Sequence, residues 1–120
     1  MKSFRELLVW QKSMSLVTDI YTATLSFPKS EIYGLTSQIR RSAVSIPSNI
    51  AEGFGRKADR DFCRFLSISL GSCYELQTQL EITRNLNYIE STQFDQISNE
   101  LEEVEKMIKA LISSIRKKLP

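Results

Sequence analysis

One stretch of this chain leaves little conformational freedom. Phe94, Ile97, Leu101, Val104, Ile108, Leu111 and Ile115 step by 3, 4, 3, 4, 3 and 4. Only an α-helix brings residues at that spacing onto one side, and the resulting apolar seam must be buried. Ser91 or Thr92 can cap its start, and Thr92 with Asp95 resembles a capping box. Glu100, Glu102, Glu103 and Glu105 precede Lys106, Lys109, Arg116, Lys117 and Lys118, the order the helix dipole favours. The spacing predicts a helix over 92–117.

A one-sided helix needs partners of the same kind, and three more patterns supply them. Residues 4–26 carry Leu7, Trp10, Met14, Val17 and Tyr21 beside a second row of Val9, Leu16, Ile20 and Ala23. Phe27-Pro28 ends that helix, because the residue before proline is pushed out of the helical region. Residues 31–54, with Ser30 as expected N-cap, carry Leu35, Ile39, Ala43, Ile46, Ile50 and Phe54. Pro47 kinks this helix, and Gly53 and Gly55 are expected to end it with a left-handed residue. Residues 59–86, capped by Asp59, carry Phe62, Leu66, Ser69, Cys73, Leu76 and Leu80. Gly71 there predicts a closely packed neighbour, and Asn85 and Asn87 suit the final turn. Only 4 Gly and 3 Pro punctuate 120 residues, too few for a turn-rich β fold. The expected fold class is all-α, an antiparallel up-down-up-down four-helix bundle forming a single domain over 1–120, about 30–40 Å long and joined by short connections.

Composition removes several functions. There is no histidine, so histidine bases, the Ser-His-Asp triad and histidine metal sites are excluded. Cys63 and Cys73 cannot hold zinc alone, and ten residues of one helix hold them too far apart for a disulfide. The N-terminal MKSFRELLVWQKS is too polar for a signal peptide, and no apolar run reaches about 18 residues. A cytoplasmic protein with no membrane contact is expected. Gly53-Phe54-Gly55 lacks the strand and further glycines of a phosphate-binding loop. The expectation is no enzyme, no cofactor, no metal and no small-molecule substrate.

Charge is more informative by position than in sum. The net charge is +2, yet residues 1–57 hold 8 Lys and Arg against 4 Asp and Glu, and residues 58–120 hold 8 against 10. Arg40 and Arg41 lie on the second helix, while Arg56, Lys57, Arg60 and Arg64 straddle the turn into the third. These six are the candidate nucleic-acid contacts, since side-chain cations near an exposed helix start suit phosphates. Asp59 and Asp61 are interleaved, so a solvated mixed-charge face is the competing reading. The tail Arg116-Lys117-Lys118 reads first as dipole complementation.

A polar row runs beside the apolar edge of the second helix: Ser42, Ser45, Asn49, Glu52 and Arg56 step by 3, 4, 3 and 4. Ser45, Asn49 and Glu52 are expected to form a structural polar network at a half-buried contact. Glu52 would need Arg56, four residues on, because an unpaired buried charge is expensive.

Several stretches resemble a known family. They are FPKSEIYGLTSQIRRSAVSIPSNIAEGFGR (27–56), FCRFLSISLGSCYELQTQLEI (62–82), LNYI (86–89) and LLVWQKSMSLV (7–17). The chain is similar to the bacterial four-helix-bundle family of intervening-sequence proteins, named for reading frames inside some large-subunit ribosomal RNA genes. The same group includes the accessory proteins of diversity-generating retroelements. The resemblance implies a ring-shaped homopentamer around a central channel and no catalytic activity. For the retroelement branch it implies contact with a reverse transcriptase, a nucleoprotein partner, and with nucleic acid through basic surface. The expected function is therefore a non-enzymatic oligomeric scaffold that binds RNA or a nucleoprotein. The alternative is a pure protein–protein interaction module.

Overall fold

The computed structural model of the chain describes residues 2–120. After a short 3-10 turn at Phe4–Glu6 come four helices: α1 Leu8–Thr24, α2 Leu35–Gly55, α3 Asp59–Asn85 and α4 Ser91–Arg116. Among the described residues there is no strand. Each helix packs on two neighbours, in the cyclic order α1, α2, α3, α4 and back to α1; among the described residues the diagonal pairs bring no Cα atoms within 8 Å of each other. The bundle measures 49 × 23 × 21 Å, longer than the expected 30–40 Å although α3 and α4, at 27 and 26 residues, have the lengths the spacing predicts.

The seam that defines α4 is its core face. Phe94, Ile97, Leu101, Val104, Ile108 and Ile115 are buried, and Leu111 is half-buried. On α1 the second apolar row is the deeper one. Val9, Leu16, Ile20 and Ala23 are buried, while Met14 and Tyr21 are exposed. Leu16, Ile39, Ile46, Ile50, Leu66, Leu76, Leu101 and Ile108 meet at the bundle axis.

The helix starts and stops differ from expectation in instructive ways. Leu7 is extended, so α1 begins at Leu8 rather than Phe4. Ser30 does not cap α2. A 3-10 turn occupies Lys29–Glu31, and the connection from α1 fills 25–34. The Leu35 N–H donates to Glu31 Oε1 at 3.2 Å, while the Tyr88 hydroxyl donates to Glu31 Oε2 at 3.0 Å. A carboxylate from the connection thus caps α2 and ties it to the α3–α4 corner. Asp59 is a first-turn residue of α3, behind the N-cap Ala58, and Glu90 holds the N-cap place of α4. Among the described residues the left-handed ones are Lys57 and Asn87, both at φ 60°, and no glycine has positive φ. At Asn87 the closure is a Schellman motif: Tyr88 N–H to Thr83 carbonyl at 2.9 Å and Asn87 N–H to Arg84 carbonyl at 3.0 Å.

The two mid-helix glycines exchange their expected roles. A Cβ on Gly71 would meet nothing within 4 Å, so this glycine faces open space. A Cβ on Gly53 would lie 2.6 Å from Phe65 Cβ and 3.2 Å from Phe62 Cδ1. Gly53 therefore continues α2, and its missing side chain lets α2 and α3 close on each other.

The α1–α4 seam carries an acidic pair. Burial, then a hydrogen bond to Asp19 and the charge of Asp19, push the Glu100 carboxyl up from 4.5 to about 7; Gln96 opposes this and the Glu103 charge adds to it. Lys12 is engaged with Glu103 at 2.6 Å, and Glu100 Oε2 is buried without a partner among the described residues. A carboxyl whose pKa is raised on folding binds an extra proton in the folded state. Stability therefore falls as pH rises through that window, from 4.5 to about 7. Solvent screening limits the loss to about 1 kcal/mol. Glu100→Gln is expected to raise the melting temperature at pH 8 and to flatten its rise toward pH 5, followed by circular dichroism. An unchanged pH profile would exclude Glu100 as its source.

Candidate nucleic-acid interface

An even number of helices returns the chain to the end where it began. The segment before α1, the α2–α3 turn and the end of α4 therefore meet at one end of the bundle. Residues 2–7, 52–64 and 113–120 hold nine Lys and Arg against four Asp and Glu, so +5. Residues 19–36 and 79–96, at the other end, hold two against five, so −3. The net +2 conceals this lengthwise separation.

At the basic end four of the six candidate cations come together. Arg56 follows α2 and Arg64 lies on α3, and both guanidinium groups sit over the Phe65 ring, at 5.1 and 4.9 Å. Arg56 also reaches Glu52 at 3.3 Å, and Arg64 reaches Asp61 at 3.5 Å. These ion pairs are exposed and worth about 0–1 kcal/mol, so a phosphate can displace them. Lys57 and Arg60 are exposed beside them and form no ion pair among the described residues. The left-handed backbone at Lys57 makes the turn tight, with three residues, 56–58, between the helices.

Arg40 and Arg41 lie elsewhere. Arg41 precedes Arg56 by fifteen residues of the same helix, about 22 Å along the axis. The Arg40 guanidinium donates through Nε to Thr24 Oγ1 at 2.9 Å and lies 4.7 Å from the Tyr21 ring centre. It clamps α2 to α1. Arg41 is exposed and borders a hollow with Tyr21, Ile32 and Val44.

The structure adds Lys2, Arg5, Arg116, Lys117 and Lys118 to the basic end, and Lys2 and Lys118 border the same cavity as Lys57. Their signal was the bundle topology itself. Once four antiparallel helices are expected, the tail must lie beside the α2–α3 turn.

The polar row on α2 is completed from α3. Ser45 Oγ meets Ser72 Oγ at 2.8 Å, and Asn49 Nδ2 donates to the Ser45 carbonyl at 2.8 Å and to Ser45 Oγ at 2.9 Å. Ser42 Oγ donates to Glu75 Oε1 at 2.8 Å, and buried Ser69 Oγ donates to the Ile46 carbonyl at 2.9 Å. Glu52 stands outside this network. Its side chain is 56% exposed, and among the described residues its hydrogen-bonding partner is Arg56. Ser69, Ser72 and Glu75 were not tied to α2 by the sequence, which shows spacing within a helix and not register between two.

Both cysteines are free and buried. Burial, then the nearby Glu105 carboxylate, push the Cys73 thiol up to about 12, which leaves it unreactive. Among the described residues no three His, Cys, Asp or Glu side chains gather as a metal site, and no helix is long and apolar enough to cross a membrane.

Comparison with known proteins gives one family. The model described as "23S rRNA-intervening sequence protein" matches residues 5–110. Among solved structures, the chain is similar to a protein of unknown function from the S23 ribosomal protein family of Bacteroides thetaiotaomicron. The two are 28% identical with a TM-score of 0.79, over 88% of this chain and 98% of that one. No curated protein matches the chain.

Proposed function

The chain belongs to the 23S rRNA-intervening sequence protein family, and on that premise we propose that it is a non-catalytic, cytoplasmic RNA-binding protein that meets its RNA with the basic end of the bundle. One observation carries this reading: three separate chain segments bring nine cations against four acids to one end of a molecule whose net charge is only +2. Phosphate contacts of that kind position a protein on nucleic acid and make its affinity salt-dependent. Arg56, Lys57, Arg60 and Arg64 form the centre of the surface. Arg40 serves the α1–α2 contact.

The test is fluorescence anisotropy with single-stranded RNA between 50 and 200 mM salt. Replacing Arg56, Lys57, Arg60 and Arg64 together by Ala should weaken binding about 100-fold at the lower salt. Each lost phosphate contact should flatten the log–log salt slope by about 0.7. Arg41→Ala should change neither. Wild-type protein with no salt-sensitive RNA affinity would end this reading.

A second surface supports the homopentamer implied by the family resemblance. Met14, Tyr21, Ile32 and Val44 are exposed along the α1–α2 face, where half-buried Trp10 and Val17 continue the stripe. Self-association would cover it. Five copies of 13.8 kDa make 69 kDa. Light scattering at micromolar concentration should find that mass, and 13.8 kDa would exclude assembly. A partner held through this stripe alone, insensitive to nuclease and salt, would favour the pure protein-interaction module.

A further inference from the structure

The basic end is not only a charged surface; it is hollow. A cavity of about 620 Å³ opens there between α2, α3 and α4. That volume lies within the ~300–1,000 Å³ of ordinary ligand sites. Its apolar lining is Phe54, Phe62, Leu111 and Ile115. Leu111 holds a seam position on α4 yet is only half-buried, because it borders this cavity. Phe54 and Phe62 meet edge to face, with ring centres 5.9 Å apart at 86°, and both are half-buried. Each keeps aromatic surface uncovered. Lys2, Lys57 and Lys118 complete the lining with a single acid, Asp59.

We propose that this cavity takes an unstacked nucleotide of single-stranded RNA, with its base against Phe54 and Phe62 and its phosphates toward the lysines. The proposal rests on the RNA reading above and names what that surface recognises. An apolar floor with aromatic rings suits a base, since every base has a π-face and stacking on aromatic side chains is how single strands are held. Three cations around that floor suit the phosphates on either side of the base.

Asp59 gives the cavity a preference. A carboxylate in a phosphate-binding site costs affinity unless it accepts hydrogen bonds from the ligand. Guanine presents its N1–H and N2–H donors side by side and matches the two carboxylate oxygens; uracil flanks its single N–H with two carbonyl oxygens that repel them. The cavity therefore favours guanosine over uridine.

The experiment uses the full chain with labelled single strands of about ten nucleotides, the site size of one binding module. One strand is all uridine, one carries a single central guanosine, and a duplex serves as the third probe. The guanosine strand should bind about tenfold tighter than the uridine strand. Asp59 is exposed, so Asp59→Asn leaves the fold intact; it should weaken the guanosine strand and strengthen the uridine strand. Phe54→Leu, with helicity checked by circular dichroism, should weaken both single strands and leave the duplex unchanged. If Asp59→Asn strengthens both strands alike, the acid is mere repulsion and the base preference falls. If Phe54→Leu spares both strands while binding stays salt-sensitive, the cavity proposal falls and the RNA reading stands. If no probe binds at any salt, both fall. Free GMP should compete only in large excess. Competition by GMP as strong as by the strand would overturn the RNA source in favour of a free nucleotide, and competition by an acidic peptide alone would overturn the nucleotide.

Discussion

Gly53→Ala is expected to destabilise the bundle by about 2–3 kcal/mol, at the upper end for overpacking. Helix propensity favours the change by about 1 kcal/mol, so the net loss is measured against a gain. The reason is the partner atom. The new Cβ would lie 2.6 Å from Phe65 Cβ, and a Cβ is fixed to its backbone, so no rotamer relieves the contact. Helices α2 and α3 must move apart, and this pair has the most extensive contact in the bundle. Urea unfolding followed at 222 nm reads the loss. The same substitution at Gly71, where a Cβ meets nothing within 4 Å, should stabilise by about 1 kcal/mol. Equal effects at the two sites would contradict the close approach of α2 to α3 at Gly53.

Phe65→Ala is expected to cost about 3–5 kcal/mol. The ring is 7% exposed and supports two guanidinium groups, Arg56 at 5.1 Å and Arg64 at 4.9 Å. Its removal leaves a cavity and takes the shared ring from beneath two cations, whose remaining tethers are the exposed pairs with Glu52 and Asp61. Phe65→Leu keeps most of the burial but not the aromatic face, so it should cost about 1–2 kcal/mol, roughly the two cation–π contacts. Relative to Phe65→Ala, the Leu variant separates packing from cation support. RNA affinity should fall in both, because Arg56 and Arg64 lose their common support. A Phe65→Leu protein as stable as wild type would show that the arginines gain nothing from the ring.

The four helices were legible because burial writes itself at a period of 3.6. Phe94 to Ile115 shows it most plainly, and the α4 core face follows that row. Boundaries were less legible because they depend on remote groups. Glu31 caps α2 from within the connection, and Tyr88, 57 residues further on, holds Glu31 in place. No local signal at Ser30 reveals this. The glycines were misread for a related reason. Glycine in a helix signals close approach, a left-handed turn or tolerance, and only the facing helix decides among them. Gly53 has Phe65 opposite, and Gly71 has solvent.

The candidate site was half legible. Arg56, Lys57, Arg60 and Arg64 are neighbours in sequence and in space. Lys2 and Lys118 join them only through the topology, and Arg40 leaves the group through its bond to Thr24. Glu52 appeared beside an apolar row and so promised burial. Spacing cannot show that α3 covers Gly53 and leaves the neighbouring Glu52 in solvent.

The bundle is 49 Å long, and its ends carry opposite charge. At physiological salt the Debye length is about 8 Å, so neither end feels the other and a polyanion touching one end does not sense +2. It meets a local +5, while the acidic end stays too distant to weaken the hold. During approach, at low salt, the same separation acts as a lever arm. The molecule is turned basic end first before contact, which raises the association rate rather than the residence time. The antiparallel fold thus supplies orientation in flight from a chain whose total charge is close to neutral.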